Sequence, residues 1–363
     1  MDFKKIFIKN ACPTKVGGQA VLEGIMMKGE DRTAVVVRKP NGKLHIKTEL
    51  LKKPGELRKV PILRGVFIFV DSLVVGTRTL LYSAEVLENS EGGEEYEKDK
   101  MTVWLEKRFG EKGAMNAILY FSVFLAILFT VGIFIIAPTA VVNVFKYVTT
   151  NEIALNLIEG VFRIALFVVY ILIISKMKDI QTVFQFHGAE HKCIHCYENG
   201  LELTPENCKP FETLHPRCGT SFLMFVMVIS LLLFSLLGWP NLIWRITSRL
   251  LLIPIIAGLS YELLRWAGRS DSAVVKILSI PGLLLQKLTT KEPNREQLEV
   301  AIAAMKAVLV PADTPTYEGE CDGDGRLVPE PTEPEDTEEA KDNIPEEPAE
   351  TVQAESMGET TEE

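Results

Sequence analysis

Residues 114–142 read AMNAILYFSVFLAILFTVGIFIIAPTAVV and hold no charged side chain. A helix of about 20 mostly apolar residues is enough to cross the hydrocarbon core of a bilayer. The stretch therefore predicts a membrane span rather than a buried helix of a water-soluble globule. Residues 219–244 (GTSFLMFVMVISLLLFSLLGWPNLIW) are equally free of charge and predict another span. Residues 157–176 predict a third, with Glu159 and Arg163 spaced so that they can pair on one helix face. Residues 246–264 are weaker, because Pro254 and Gly258 allow a kinked or re-entrant path. The fold expected is a polytopic α-helical membrane protein of about four spans.

Residues 62–87 decide whether there is a fifth. They are apolar but carry Arg64, Asp71 and Arg78, which favours a helix lying in the interface or packed on the bundle. Lys and Arg set the orientation. They are dense before the first span (Lys100, Lys107, Arg108, Lys112), sparse after it (Lys146), and dense again over 177–218 and beyond 264. Both termini and the 177–218 connection are thus expected in the cytoplasm, with the chain multi-pass in the cell membrane. The start of the chain is basic but lacks the apolar core of a secretory signal.

The 363 residues are 47% hydrophobic and 24% charged, so apolar and charged positions must be segregated. Residues 311–363 hold 19 acidic and 2 basic side chains, which leaves the rest of the chain net positive against an overall charge of −9. Such a segment predicts a disordered acidic tail, open to a protein partner. Residues 1–61 look β-rich: Ala34–Arg38 and Leu44–Leu51 alternate around Pro40-Asn41-Gly42, a hairpin signal. Gly17-Gly18 and Gly24 precede them and suggest tight backbone geometry. A small cytoplasmic β-rich element is expected there, then the 62–88 helix, an acidic linker and juxtamembrane segment over 89–113, a core over 114–268, and amphipathic helices over 269–310. Asn294 and Gln297 suggest a capping box, with Leu298, Ile302, Met305 and Leu309 on one stripe.

The chemistry concentrates in residues 187–219, which hold four of the five His and four of the six Cys. His187, Glu190 and His191 form H-x-x-E-H. On a helix the two imidazoles share a face and can hold one metal ion, with Glu190 as general base toward water. His215 or Cys218 could complete the set, leaving one position open. His with Cys leans to zinc among divalent ions. Glu262 is a further candidate, since an ionisable group at membrane depth is a functional hypothesis by default. Arg217 could stabilise a developing anion. His195 reads as one position off the His187/His191 face, and so as polar surface rather than a ligand. A competing assembly is a closed structural site of Cys193, Cys196, Cys208 and Cys218. Six Cys in a chain this long exclude a small disulfide scaffold, and no nucleotide or nucleic-acid signature is visible.

VGGQAVLEGIMMKG (16–29), FHGAEHK (186–192), LHPRCGTSF (214–222), SYELLRWAG (260–268) and LQKLTTKEPNREQLEVAIAAM (285–305) together resemble the YqhQ-type family of bacterial membrane proteins. The resemblance spans about residues 12–310. It implies a metal-dependent enzyme with its site at His187, Glu190, His191 and the His215–Cys218 loop, and it draws Gln19, Glu23 and Glu262 in as site members. Cys193, Cys196 and Cys208 fall outside these blocks. The reading is a zinc-type hydrolase at the cytoplasmic membrane face acting on an unidentified substrate. Its rival is a membrane scaffold or assembly factor with a structural metal site.

Overall fold

The computed structural model describes residues 6–7, 12, 14–52, 55–90, 100–237, 242–268, 270 and 272–328. The strands are β1 (Gly17–Val21), β2 (Gly24–Lys28), β3 (Arg32–Arg38), β4 (Leu44–Leu50) and β5 (Glu318–Cys321). The helices are α1 (Leu63–Glu88), α2 (Lys100–Val131, broken at Gly110), α3 (Ala137–Phe145), α4 (Glu152–Ile174), α5 (Lys178–Glu198), α6 (Pro205–Cys208), α7 (Gly219–Ser235), α8 (Leu242–Ala267), α9 (Ala273–Thr289) and α10 (Arg295–Val308). A π-helical turn over Gly132–Ile136 joins α2 to α3.

The strands form one antiparallel sheet in the order β1-β2-β3-β4-β5. Gly42 turns the β3–β4 hairpin at φ 84, a conformation that favours glycine. The period of two divides the sheet's residues between two faces. Ile25, Met27, Ala34, Val36 and Ile46 bury against α5 and α10. Met26, Val35 and Val37 turn to the other side, where Val86 and Tyr82 of α1 pack. Packed against both α5 and the sheet, α10 is buried on most of its circumference, beyond the expected stripe; Leu309 at its end is exposed. The Asn294–Gln297 capping box is present.

Among the described residues, four helical segments are long and apolar enough to cross a membrane: Leu63–Glu88, Tyr120–Phe145, Glu152–Ile174 and Thr247–Ala267. They present large apolar side chains outward, including Phe121, Phe124, Ile173, Leu250 and Leu251. The set differs from the expected one in two places. Residues 62–87, expected in the interface or packed on the bundle, form one helix of full membrane length that packs on α8. Its N-terminal part crosses α8 so closely that a Cβ on Gly65 would lie 2.9 Å from the Gly258 backbone. Its Arg64 pairs with Glu262, and its Arg58-bonded Asp71 is also compensated. The expected span 219–244 instead ends at Ser235, a 17-residue helix, shortly before Gly238-Trp239-Pro240. Gly and Pro punctuate helices even inside apolar runs.

The first residues of the expected acidic tail are folded. Residues 311–328 are described as part of the fold, and β5 pairs with β4. Buried Arg32 donates to the carbonyls of Pro311 (2.9 Å) and Thr314 (2.8 Å). Glu318 and Glu320 meet Lys39, Lys43 and Lys47, so their charge is matched by the sheet. Residues 91–99 of the expected linker and 329–363 of the expected tail lie outside the described residues.

Helix α7 is surrounded by α4, α8 and α9. Near it, Glu159 of α4 is 1% exposed and accepts from Arg163 Nη2 (2.9 Å) and Arg249 Nη2 of α8 (2.7 Å). Phe234 of α7 lies against both guanidinium groups. The expected Glu159–Arg163 pair is thus one half of a bridge between helices. Removing one member of a buried ion pair leaves the other charge uncompensated. Glu159→Ala should therefore lower stability by about 3–5 kcal/mol, read as a fall in thermal unfolding temperature in detergent. An unchanged transition would show that water compensates the two arginines.

Candidate metal centre

Helix α5 begins directly after α4, across the turn at Ser175–Met177. A step of four residues returns to nearly the same face of a helix. His187, His191 and His195 therefore form one row, continued by Glu198. The structure corrects the reading of His195 as surface: it is 2% exposed and belongs to that row. The row faces an extended strap over 213–218 that connects to α7. Gln286 of α9, fully buried, holds the strap from both sides: its Oε1 accepts from His215 N (2.8 Å) and its Nε2 donates to the His215 carbonyl (2.9 Å). Lys192 ties the preceding chain down through the carbonyls of Lys209 and Phe211.

Two sets of ligand-type atoms result, each within 4.8 Å of one another. The first is His187, His191 and Cys218. His187 Nδ1 donates to the Thr289 carbonyl at 2.8 Å, and His191 Nδ1 donates to the Thr213 carbonyl. Carbonyl oxygens only accept, so both Nδ1 atoms carry protons and both Nε2 atoms turn toward Cys218. His187 Nε2 lies 3.1 Å from Cys218 Sγ. His191 Nε2 is buried with no hydrogen-bond partner among the described residues. Cys218 caps the N-terminus of α7 and accepts from Thr220 N, where the helix dipole favours a thiolate. Burial alone would raise its pKa, yet His187 and His191 hold it well below the ordinary thiol value. For His187, burial opposes charge but the Cys218 thiolate outweighs it, raising the pKa to about 9.

Glu190 stands beside this set, its pKa raised by burial against the pull of His187 and His191. Its Oε1 accepts from the Gly18 backbone N–H of β1 at 2.9 Å. A Cβ on Gly18 would sit 2.9 Å from the Glu190 carboxyl carbon, so the strand can approach only as glycine. The Gly-Gly pair is the sequence signal of that approach; the backbone donor itself has none.

The second set is His195, Glu198 and His215. His215 thus lies beside His195 rather than completing the first set, its ring 4.6 Å from that of His195 and 5.6 Å from that of His191. Arg217, the expected anion-stabilising residue, is paired with Glu198 of the second set. Burial lowers the pKa of His195 to about 4 and that of His215 to about 3, so both are neutral near pH 7. Glu198 stays ionised: burial would raise its pKa, but donors around it bring it to about 2.

The remaining candidates lie elsewhere. Glu262 bonds Arg64 through Arg64 Nε (2.6 Å) and pairs with no site residue. Gln19 donates to the Gly76 carbonyl and locks β1 to α1. Glu23 occupies the β1–β2 turn at φ 46, exposed. The four-thiolate assembly is not formed: Cys193 and Cys208 are buried 3.8 Å apart, while Cys218 sits with the histidines. Bonding among the thiols, together with burial, raises the pKa of Cys196 and Cys208, so they remain protonated core side chains.

The family model described as "Protein of unknown function (DUF1385)" matches residues 60–310. The "Uncharacterized protein YqhQ" of Bacillus subtilis (strain 168) is 33% identical over 309 residues, which cover 83% of this chain and 94% of that protein. No solved structure matches the chain.

The position of α5 depends on Gly188. A Cβ there would fall 2.0 Å from the Lys291 carbonyl oxygen. Gly188→Ala should cost about 1–3 kcal/mol, the usual range for overpacking. Thermal unfolding of the purified variant measures this, and a wild-type transition would mean that the 290–292 segment yields freely.

Proposed function

This chain belongs to the DUF1385 family, and we propose that it is a multi-pass membrane protein with a metal-dependent hydrolytic site at the cytoplasmic end of its helices. The observation that carries the proposal is the orientation of His187 and His191. Backbone carbonyls fix both Nδ1 protons, both Nε2 atoms converge on the Cys218 thiolate, and the buried Nε2 of His191 has no hydrogen-bond partner among the described residues. This donor set fits a divalent ion such as zinc, and three protein ligands leave a coordination position open. A metal held there supplies Lewis acidity and lowers the pKa of water to about 7.

The protein's own residues then have distinct parts. Gly18 N–H holds Glu190 Oε1, which leaves Oε2 to take a proton from water and pass it to a leaving group. Thr289 and Thr213 keep the imidazoles in the tautomer that ligates. His187 and Cys218 are partly exposed, which gives a substrate a way in. The apolar outer faces of the long helices support insertion in a bilayer. Lys and Arg on the α5 side support a cytoplasmic site.

The test is reconstitution of the detergent-purified full chain with Co²⁺. A thiolate-to-cobalt charge-transfer band should appear, vanish in His187→Ala/His191→Ala, and shift when thiocyanate takes the open position. A band that ignores thiocyanate would indicate a closed structural site and favour the scaffold reading. Glu190→Gln should keep the band while lowering hydrolysis of a peptide or ester library about 10²–10⁴-fold, the usual contribution of a general base.

A further inference from the structure

We propose that His195, Glu198 and His215 form a second metal site, taking a divalent transition-metal ion next to the His187–His191–Cys218 set. The two sites would share α5 and the 213–218 strap. The second rests on its own atoms and does not require the first to be catalytic.

The three side chains are 2%, 4% and 4% exposed, so their polar atoms are cut off from bulk water. Buried polar atoms in a folded protein are normally satisfied. His215 Nε2 is not: it has no hydrogen-bond partner among the described residues. Its contact with Glu198 Oε2, at 3.5 Å, is at the outer limit of a hydrogen bond and not aligned as one. Two ligands on one tetrahedral ion with bonds of about 2.0–2.1 Å sit roughly 3.3 Å apart, close to this separation.

The surroundings leave the ligating atoms free and occupy the others. His195 Nε2 donates to the Leu214 carbonyl at 3.0 Å, which leaves Nδ1 with its lone pair free to ligate. Glu198 Oε1 accepts from Thr14 N at 2.8 Å and from Arg217. Its other oxygen, Oε2, faces the imidazoles. The His215 backbone is clamped by Gln286, and its ring Nδ1 accepts from the Arg217 backbone N–H at 3.4 Å, which turns Nε2 toward Glu198. Such outer partners orient metal ligands in general.

Two neutral imidazoles and one carboxylate suit zinc or iron(II). Burial distinguishes this set from the first, whose His187 and Cys218 reach the surface. The second ion would therefore hold α5, the strap and the chain at Thr14 together beside the reactive site.

The test is metal stoichiometry of the full chain, reconstituted with Zn²⁺ in detergent, desalted and measured by elemental analysis. Wild type should retain two ions per chain. Glu198→Gln, which preserves size and an acceptor for Arg217, should retain one. His195→Asn/His215→Gln should also retain one, and the cobalt form of each variant should keep the Cys218-dependent band. One ion in wild type, unaffected by these substitutions, would overturn the second site and leave the first reading standing. Two ions in wild type, one lost in Glu198→Gln, with no thiolate band in the cobalt form, would support the second site while the first reading fails.

Discussion

A helix returns to the same face every four residues, and α5 places an imidazole at each of three such returns. Once that face is buried, each ring nitrogen needs a partner, because an unpaired polar atom in the interior costs about 1–3 kcal/mol. Much of the surrounding architecture supplies those partners. Thr213 and Leu214 of the strap, Thr289 of α9 and Cys218 at the head of α7 each meet one imidazole. The nitrogens left over are turned inward. The metal-binding reading follows from that remainder, not from the presence of histidine alone.

The same constraint links the sheet to the helices. α5 and α10 cover one face of the sheet, and α1 covers the other before it crosses α8. Gly18 brings β1 against Glu190, and Gly188 brings the chain after α9 against α5. Displacing either contact moves donors that orient the site. The buried Glu159 bridge acts separately, fixing α4 to α8.

Much of this was legible in the sequence where local rules decide the outcome. The charge-free run at 114–142, the Asn41-Gly42 hairpin and the Asn294 capping box each depend on neighbours in the chain. H-x-x-E-H was legible because both histidines are on one helix. His195 was misjudged although the same four-residue step applies to it; the signal was present. The choice between His215 and Cys218 was not legible, because it depends on how the strap folds against α9. Glu262 looked functional only while Arg64 was out of view. β5 was hidden by acidic composition, since the lysines that match Glu318 and Glu320 lie some 280 residues earlier. The backbone N–H of Gly18 carries no side-chain signature at all.

A metal ion held at the head of α7 by histidine nitrogen and one cysteine sulfur would have a distinctive ligand shell. X-ray absorption at the zinc edge of the reconstituted wild-type protein tests for that shell most directly, with Cys218→Ser alongside. The account predicts a shell dominated by nitrogen and oxygen with a minor sulfur contribution that disappears in Cys218→Ser. An all-sulfur shell that persists in the variant would place the metal at Cys193, Cys196 and Cys208 and contradict the account.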